Sequence, residues 1–534
     1  MLTGCFVHTI DSILPPGETF VHDYGRLEYY AATKLLENME YAETHLPKSP
    51  IRIFQTLFQT LICKHFYTNS DMCEPNEDSE TLRKSLLLLL KYWPGESFIL
   101  RNLIPTLAPI GDKLKIWTSV NESNDYRTAL QHSIDCLMKY YMYIVGMLFD
   151  IFLEISKCIL STNNQMILRR CDISGYYGHL DKGFNPSTLL GNMKNFSSNL
   201  PVCNGKIELV CDAVCDYKTD LVALTTIAAM NKNAATGIIV HFRKIAFNLN
   251  PQNICGICGV LNHLGIEYCE LNTNDKNGII SSSVITSLPN LKGFSNIVSS
   301  TTSIFQLNLL SSLNNLCQID LSRINLKGQL EPLCKLPSGL IYLKLAGCGL
   351  LDEDVLGLTN SHHSMTLRHV DISENNVTLK PHLMYFCQNL ENVEILALQG
   401  CIIDGEHLLE FSNLLCGLCA LKLIDFKNNN FSSDIISCLS LDLCKSKSIK
   451  CVVFSVPEDL YIGNDALLVN TLRILKISLG RRKEDLMKQY LREFAVPQAF
   501  YTTQVQDRLK AFYKKIIKEV TDLNKNIHVT LEPI

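Results

Sequence analysis

Charge of either sign is scarce in this chain, at 19% of residues with a formal net charge of −4. That balance excludes the broad positive field by which nucleic-acid binders gather phosphates, so no nucleic-acid partner is expected. Long uncharged apolar runs are missing as well. The best candidate, Leu137–Leu160, is interrupted by Lys139, Asp150, Glu154 and Lys157, which leaves too short a run to cross a bilayer. It reads as a buried helix, and no membrane partner is expected. Met1–Leu14 lacks the basic start and apolar run of a secretory signal, which points to a cytoplasmic setting and to reduced thiols among the 22 cysteines. The Asn-x-Ser/Thr triplets at Asn121, Asn195, Asn376 and Asn430 are then coincidental. Gly175, Gly178 and Gly183 lack the spacing and lysine of a phosphate loop, and no serine nucleophile elbow occurs. No catalytic residue, cofactor or metal is expected.

What the chain has is a repeat. Between Leu313 and Pro457 the pattern apolar-x-x-apolar-x-apolar-x-x-Asn/Cys-x-apolar is met at Leu340/Leu343/Leu345/Cys348/Leu350, Leu367/Val370/Ile372/Asn375/Val377, Val393/Leu396/Leu398/Cys401/Ile403 and Leu421/Ile424/Phe426/Asn429/Phe431. Leu316/Ile319/Leu321/Leu326 and Ile449/Val452/Phe454 flank them as partial copies. The six starts at 316, 340, 367, 393, 421 and 449 are 24, 27, 26, 28 and 28 residues apart. Alternating apolar residues such as Leu343 and Leu345 suit a half-buried strand. The Asn or Cys that follows can turn inward and bond backbone groups where the chain leaves the strand. Leu383, Phe386, Cys387 and Leu390, or Leu408, Leu409, Leu414 and Leu415, recur at helical spacing between strands. A strand and a short helix per repeat predict an α/β leucine-rich repeat solenoid, or horseshoe, in which neighbours must stack to bury their apolar faces.

Around it the spacing predicts an N-terminal all-helical region over residues 20–165, a solenoid over 166–462 with clear repeats at 313–457, and a C-terminal helical tail over 463–534. Leu168–Gly175, Ile238/Val240/Ile245 and Ile266/Cys269/Leu271/Asn274 read as worn repeats, Ser187–Lys206 as a surface loop and Ile207–Ala229 as helix. Cys255-Gly256-Ile257-Cys258 and Cys416-Gly417-Leu418-Cys419 have the two-residue spacing of zinc or redox pairs. Several repeats separate the two pairs, so no shared metal is expected, and both thiols of the second are expected to pack inward. Cys348, Cys387, Cys401 and Cys438 fall where small buried hydrophobes sit, and His362-His363 reads as a solvated loop pair.

Phe454-Ser455-Val456-Pro457-Glu458-Asp459-Leu460-Tyr461, the leucine helix running into Trp93-Pro94, the strand Leu168–Gly175 and the acidic helix start after Leu340–Leu350 together resemble the PRAME family of leucine-rich proteins, over most of residues 25–465. The resemblance implies a protein-binding adaptor that acts as substrate receptor of a cullin-2 ubiquitin ligase through elongins B and C. The alternative it implies is a scaffold or inhibitor that sequesters a signalling protein such as a kinase. Leu27, Ala31 and Leu35 match the family's elongin-binding box, and Pro50 and Ile53 its cullin box, which here begins with Ser49. Without the resemblance, the spacing of the first three residues favours the inner face of the first helix over such a box.

Strand alternation places the partner surface. Tyr342, His369, Ile395 and Leu423 are expected in one outward, concave, aromatic and apolar row, and Asp320, Lys344, Asp371 and Asp425 in a mostly acidic row beside it. Such rows suit a protein partner anchored by Tyr342, or simply form the solvent side of a sheet.

Overall fold

The computed structural model describes residues 77–100, 144–156, 168–174, 185–197, 206–233, 237–272, 279–296, 306–375, 381–401, 407–429, 431–443, 451–455, 474–479 and 527–532, with a few single positions between them and five before them, Leu46, Phe54, Leu57, Phe58 and Leu61. The chain divides into two units, Met1–Glu270 and Leu271–Ile534, and in both the repeating element is a short parallel strand, the architecture of a leucine-rich repeat solenoid.

In the first unit, helix α1 (Glu77–Lys91) buries Leu82, Leu86, Leu89 and Leu90, a helical stripe drawn from the leucine run. It is joined by an Arg83–Glu154 ion pair to the helix at 144–156, whose Leu148, Phe149, Ile151 and Phe152 are buried. Trp93 then stops the helical pattern. Its Nε1–H donates to the Ser97 carbonyl at 3.0 Å, and its indole meets Phe54 and Phe98 edge-on at 5.9 and 5.0 Å. This anchors a short strand, β1 (Ser97–Ile99), inside a stretch whose pattern reads as helix.

β1 pairs in parallel with β2 (Arg170–Asp172), β2 with β3 (Ile207–Cys215) and β3 with β4 (Ile238–Phe247). β5 (Tyr268–Leu271) follows, so the worn repeats at 168, 238 and 266 are strands as expected. Two expectations are corrected. Ser187–Lys206 is not a loop throughout, because helix α2 (Pro186–Ser197) occupies its first half and buries Leu189, Leu190 and Met193. Ile207–Cys215 is strand rather than helix, and helix begins only at α3 (Lys218–Asn233). Seven of the nine β3 positions, Leu209 through Cys215, are consecutively buried, so β3 is covered on both faces and its sequence shows no alternation.

The second unit holds β6 (Gly293–Asn296), β7 (Gln318–Asp320), β8 (Tyr342–Lys344), β9 (His369–Asp371), β10 (Ile395–Ala397), β11 (Leu423–Phe426) and β12 (Cys451–Phe454), parallel in sequence order. The short helices α4 (Asp352–Thr359), α5 (Pro381–Gln388), α6 (Leu408–Gly417) and α7 (Ser433–Leu443) pack one on the next. Leu408 and Leu415 of α6 are buried while Leu409 is exposed. β13 (Ile474–Leu479) and β14 (Ile527–Glu532) add antiparallel strands to β12, where the pattern of the tail reads as helix. The stripe Val505–Leu523 lies outside the described residues.

The inward Asn or Cys does what its position requires. Asn375 Nδ2 donates to the carbonyls of Leu345, Ile372 and Ser373 at 2.8, 2.8 and 3.1 Å, and its Oδ1 accepts the Leu350 N–H at 3.0 Å. Asn429 repeats the pattern toward Leu398 and Phe426 at 2.8 and 3.0 Å. Cys348 and Cys401 make only weaker thiol bonds, to Leu321 O at 3.1 Å and Ile372 O at 3.6 Å, and burial pushes both thiols up to about 12. Cys387 is buried too, but Cys438 is exposed, which corrects its placement in the core.

His363 is likewise no solvated residue. It is fully buried, its Nδ1 accepts the Leu340 N–H at 3.3 Å and its Nε2 lies 2.9 Å from the Leu333 carbonyl. With Nδ1 accepting, the proton sits on Nε2 and donates to Leu333. Burial drives its pKa down to about 4, so the neutral ring acts as a strut between repeats.

Two stability measurements check this account. Leu343 is fully buried, so Leu343→Asp loses about 1.5–3 kcal/mol of apolar burial and adds the desolvation of a carboxylate. A melting temperature within a degree or two of the parent would show the strand register to be wrong. Asn375→Ala should cost about 2–3 kcal/mol in urea unfolding, because it strands buried backbone groups. Cys401→Ala, with one weak bond to lose, should cost clearly less, and equal costs would refute the role given to Asn375.

Candidate partner-binding face

The outward rows are in register. Gln318, Tyr342, His369, Ile395, Leu423 and Cys451 are Cα partners across successive strands, and so are Asp320, Lys344, Asp371, Ala397 and Asp425. The two rows differ from expectation in exposure. Tyr342, expected as the exposed anchor, is only 5% exposed, with its ring edge-on to the His369 imidazole at 4.5 Å. His369, Ile395 and Leu423 are half-buried and reach the surface. Burial holds His369 down to about 4, opposed by Asp371 and assisted by Lys344, so the ring is neutral at pH 7.

The acidic row is a structural device. Asp320 Oδ1 accepts the Ser322 N–H at 3.0 Å, Asp371 Oδ1 that of Ser373 at 3.0 Å and Asp425 Oδ1 that of Lys427 at 3.0 Å. These Asx turns bend the chain off the strand. The residue after each turn is left-handed in five successive repeats, at Arg323, Gly347, Glu374, Gly400 and Asn428, with φ of 67°, 66°, 57°, 58° and 58°. Each of the first four donates its N–H to the next repeat, to Ala346, Ser373, Gln399 and Lys427 carbonyls at 2.7, 2.8, 2.6 and 2.8 Å. Where the repeat lacks Asp, neighbours substitute: Ser373 Oγ accepts the Gln399 N–H at 3.0 Å, and Gln399 Nε2 donates to Asp425 at 2.7 Å.

Lysines offset part of the negative charge of the row. Lys344 Nζ lies 4.0 Å from Asp320 and 3.9 Å from Asp371, one on each neighbouring strand, and Lys427 lies 3.1 Å from Asp425. Burial raises the Asp320 carboxyl above the usual range while Lys344 and Ser322 oppose it. Burial likewise raises Asp425, against Lys427.

A third row was missed in the sequence because it stands just before the strands, where a single residue separates the first apolar position from the ladder. Ile341 is 42% exposed, Arg368 is exposed, and Glu394 and Lys422 are half-buried. Their backbones interlock, Arg368 N–H to Ile341 O at 2.8 Å, Glu394 to Arg368 at 2.7 Å and Lys422 to Glu394 at 2.8 Å. Glu394 also takes Lys422 at 2.6 Å and Arg368 at 3.8 Å. The accessible surface is therefore the line from Ile341 and Arg368 to Ile395 and Leu423, beside the recessed charges. Leu27, Ala31 and Leu35 of the elongin box, and Pro50 and Ile53 of the cullin box, lie outside the described residues.

Of the cysteine pairs, Cys416 is half-buried and bonds the Asp442 carbonyl at 3.3 Å, but Cys419 is exposed. That corrects the expectation of two inward thiols: α6 ends at Gly417, and Leu418 is extended at φ −76° and ψ 100°, which turns Cys419 off the helix.

Removing the ammonium between the two buried carboxylates gives a pH-dependent test. Lys344→Met should cost about 3 kcal/mol at neutral pH by leaving them uncompensated. In the variant the folded Asp320 pKa rises further above its unfolded value, so the folded chain binds the extra proton. The deficit is then largest at neutral pH and shrinks as pH falls through the folded carboxyl pKa toward the unfolded one. Unfolding of parent and variant at a series of pH values checks this, and a constant gap would refute the ion-pair assignment.

No family model matches the chain. Among curated proteins it is similar to leucine-rich repeat-containing protein 14 of Xenopus laevis, at 30% identity over 156 residues, which is 28% of this chain and 31% of that protein. The chain thus matches less than a third of the length of that relative. The likeness agrees with the stacked strands in the class of repeat, and it supports a repeat protein that mediates protein interactions.

Proposed function

We propose that this chain is a non-enzymatic, cytoplasmic protein-binding scaffold of the PRAME type, and that it serves as substrate receptor of a cullin-2 ubiquitin ligase joined through elongins B and C. The observation that carries the scaffold reading is the register of the outward rows. Ile395 and Leu423 are Cα partners on adjacent strands, and Ile341 and Arg368 each stand one residue before a strand of the same ladder, on backbones bonded at both ends. Side chains held on such rigid backbone meet a partner with little ordering cost, and apolar groups beside charge are the make-up of a protein interface.

The ligase part rests on the resemblance of Leu27, Ala31 and Leu35 to the elongin box and of Pro50 and Ile53 to the cullin box. In this reading the region 20–165 recruits the ligase and the solenoid over 166–462 holds the substrate. The same scaffold without a ligase contact would be a sequestering inhibitor.

Co-expression with elongins B and C separates the two. Leu27→Ser should remove elongin C from the purified complex with no change in melting temperature. Ile395→Ser combined with Leu423→Ser should keep elongin C and lose the cellular proteins captured by the parent. Absence of elongin C from the unmutated complex, with those proteins still captured, would sink the ligase reading and leave the inhibitor. An unchanged captured set in the double variant would move the partner site away from these strands.

A further inference from the structure

The chain contains the Cys-x-x-Cys spacing twice, and the backbone treats the two copies differently. Cys255 ends the short helix Pro251–Cys255, Gly256 continues in helical geometry at φ −65° and ψ −20°, Ile257 follows at φ −109° and ψ −3°, and Cys258 opens a 3-10 helix, Cys258–Leu264. Residues 255–258 are thus a right-handed turn that joins the two short helices, with Ile257 N–H bonded to Ile254 O at 3.1 Å and Val260 N–H to Ile257 O at 3.0 Å. Residues three apart on such a turn share a face, with about 5–6 Å between Cβ atoms. A disulfide needs about 3.5–4.5 Å, so a small closing movement suffices. Cys416 and Cys419 have no such turn, because the extended Leu418 breaks it.

The surroundings favour that movement. Ile254 and Ile257 are buried at 0% and 7% exposure and pin the turn to the core, while Cys255 and Gly256 project into solvent and Cys258 is half-buried. A Cβ placed on Gly256 would meet nothing nearer than Asn253 O at 3.5 Å, so the backbone between the two cysteines is not packed in, and glycine lets it adjust. Cys258 Sγ–H donates to Ile254 O at 3.5 Å, across the same turn. The nearby Cys269 is fully buried, and burial holds its thiol well above the usual range, so it stays protonated and does not compete.

We propose that Cys255 and Cys258 form a redox dithiol that hydrogen peroxide closes to an intrachain disulfide. The exposed Cys255 gives up its thiol proton and its sulfur attacks peroxide, breaking the O–O bond to give a sulfenic acid and a hydroxide that takes up that proton as the first water. Cys258 then attacks the sulfenic sulfur, forming the S–S bond and expelling a second water. Two thiols are oxidised by two electrons and one peroxide is reduced to two waters. The disulfide would lock the helical turn at the entry to the 3-10 helix that packs against α3.

The test treats the reduced full-length protein with hydrogen peroxide, alkylates the remaining thiols and maps peptides by mass. The peptide carrying residues 255–258 should lose about 2 Da, the two hydrogens of a disulfide, remain unalkylated there, and recover with dithiothreitol. Cys255→Ser should abolish the loss, Cys269→Ala should retain it, and fragmentation should place the link between Cys255 and Cys258. Accumulation of a sulfinate on Cys255 with Cys258 still alkylated, or a link from Cys258 to Cys269, would overturn the proposal. Closure of Cys416–Cys419 at the same rate would overturn the backbone argument.

Discussion

Parallel strands three residues long leave most of their repeat outside the ladder, so the chain must turn sharply at each strand exit with its peptide groups still out of water. Backbone groups buried there need partners, at a cost of about 1–3 kcal/mol for each left unmet. Two devices meet the need at once. Inside, Asn375 and Asn429 bridge carbonyls of their own and the preceding repeat. Outside, Asp320, Asp371 and Asp425 accept the N–H two residues on and deliver the chain into a left-handed residue. That residue's N–H then bonds the following repeat. Because each device crosses to a neighbour, no repeat satisfies itself, and cooperativity is built into the exit turn as well as the core.

This constraint decides which outward residues are left for a partner. Those nearest the exit are used up: Asp320 is 1% exposed and Asp371 9%, and Lys344 is held between them. Such a buried triad gives little net stability, since desolvation offsets most of the attraction. What it adds is a fixed alternation of charge that matches one strand order. Side chains nearer the strand entry are freer because the entry is bridged from within, by His363 between Leu333 and Leu340 and by the Thr366 hydroxyl donating to Leu340 O at 2.7 Å. Ile341 and Arg368 are consequently exposed.

The repeats of the second unit were legible because their inner positions tolerate only apolar residues and their exits only Asn or Cys. Every residue of the strand template from Leu316 to Phe426 that the structure describes is buried, whereas Leu409 and Cys419 of the segments between strands are exposed. The outward rows were legible in register but not in exposure. Alternation says which way a side chain points, and not how far neighbours stand over it, as Tyr342 beneath His369 shows. In the first unit the signal faded for a related reason. A strand covered on both faces loses its period of two, so Leu209–Cys215 read as helix. Trp93 carried a structural meaning invisible to periodicity, because its aromatic contacts with Phe54 and Phe98 are set by packing between elements.

The same logic separates spacing from chemistry in the two cysteine pairs. Their sequences differ only at the third position, Ile257 against Leu418, and both of those residues are buried. The difference arises from the segment downstream of each pair. After Ile257 the chain continues into a further helical segment. After Leu418 it must straighten to reach β11, whose first residue is Leu423. A repeat that obliges its helix to end between two thiols parts them, and one that prolongs the helix keeps them together. The neighbouring secondary structure therefore sets which pair can react, and the motif alone does not.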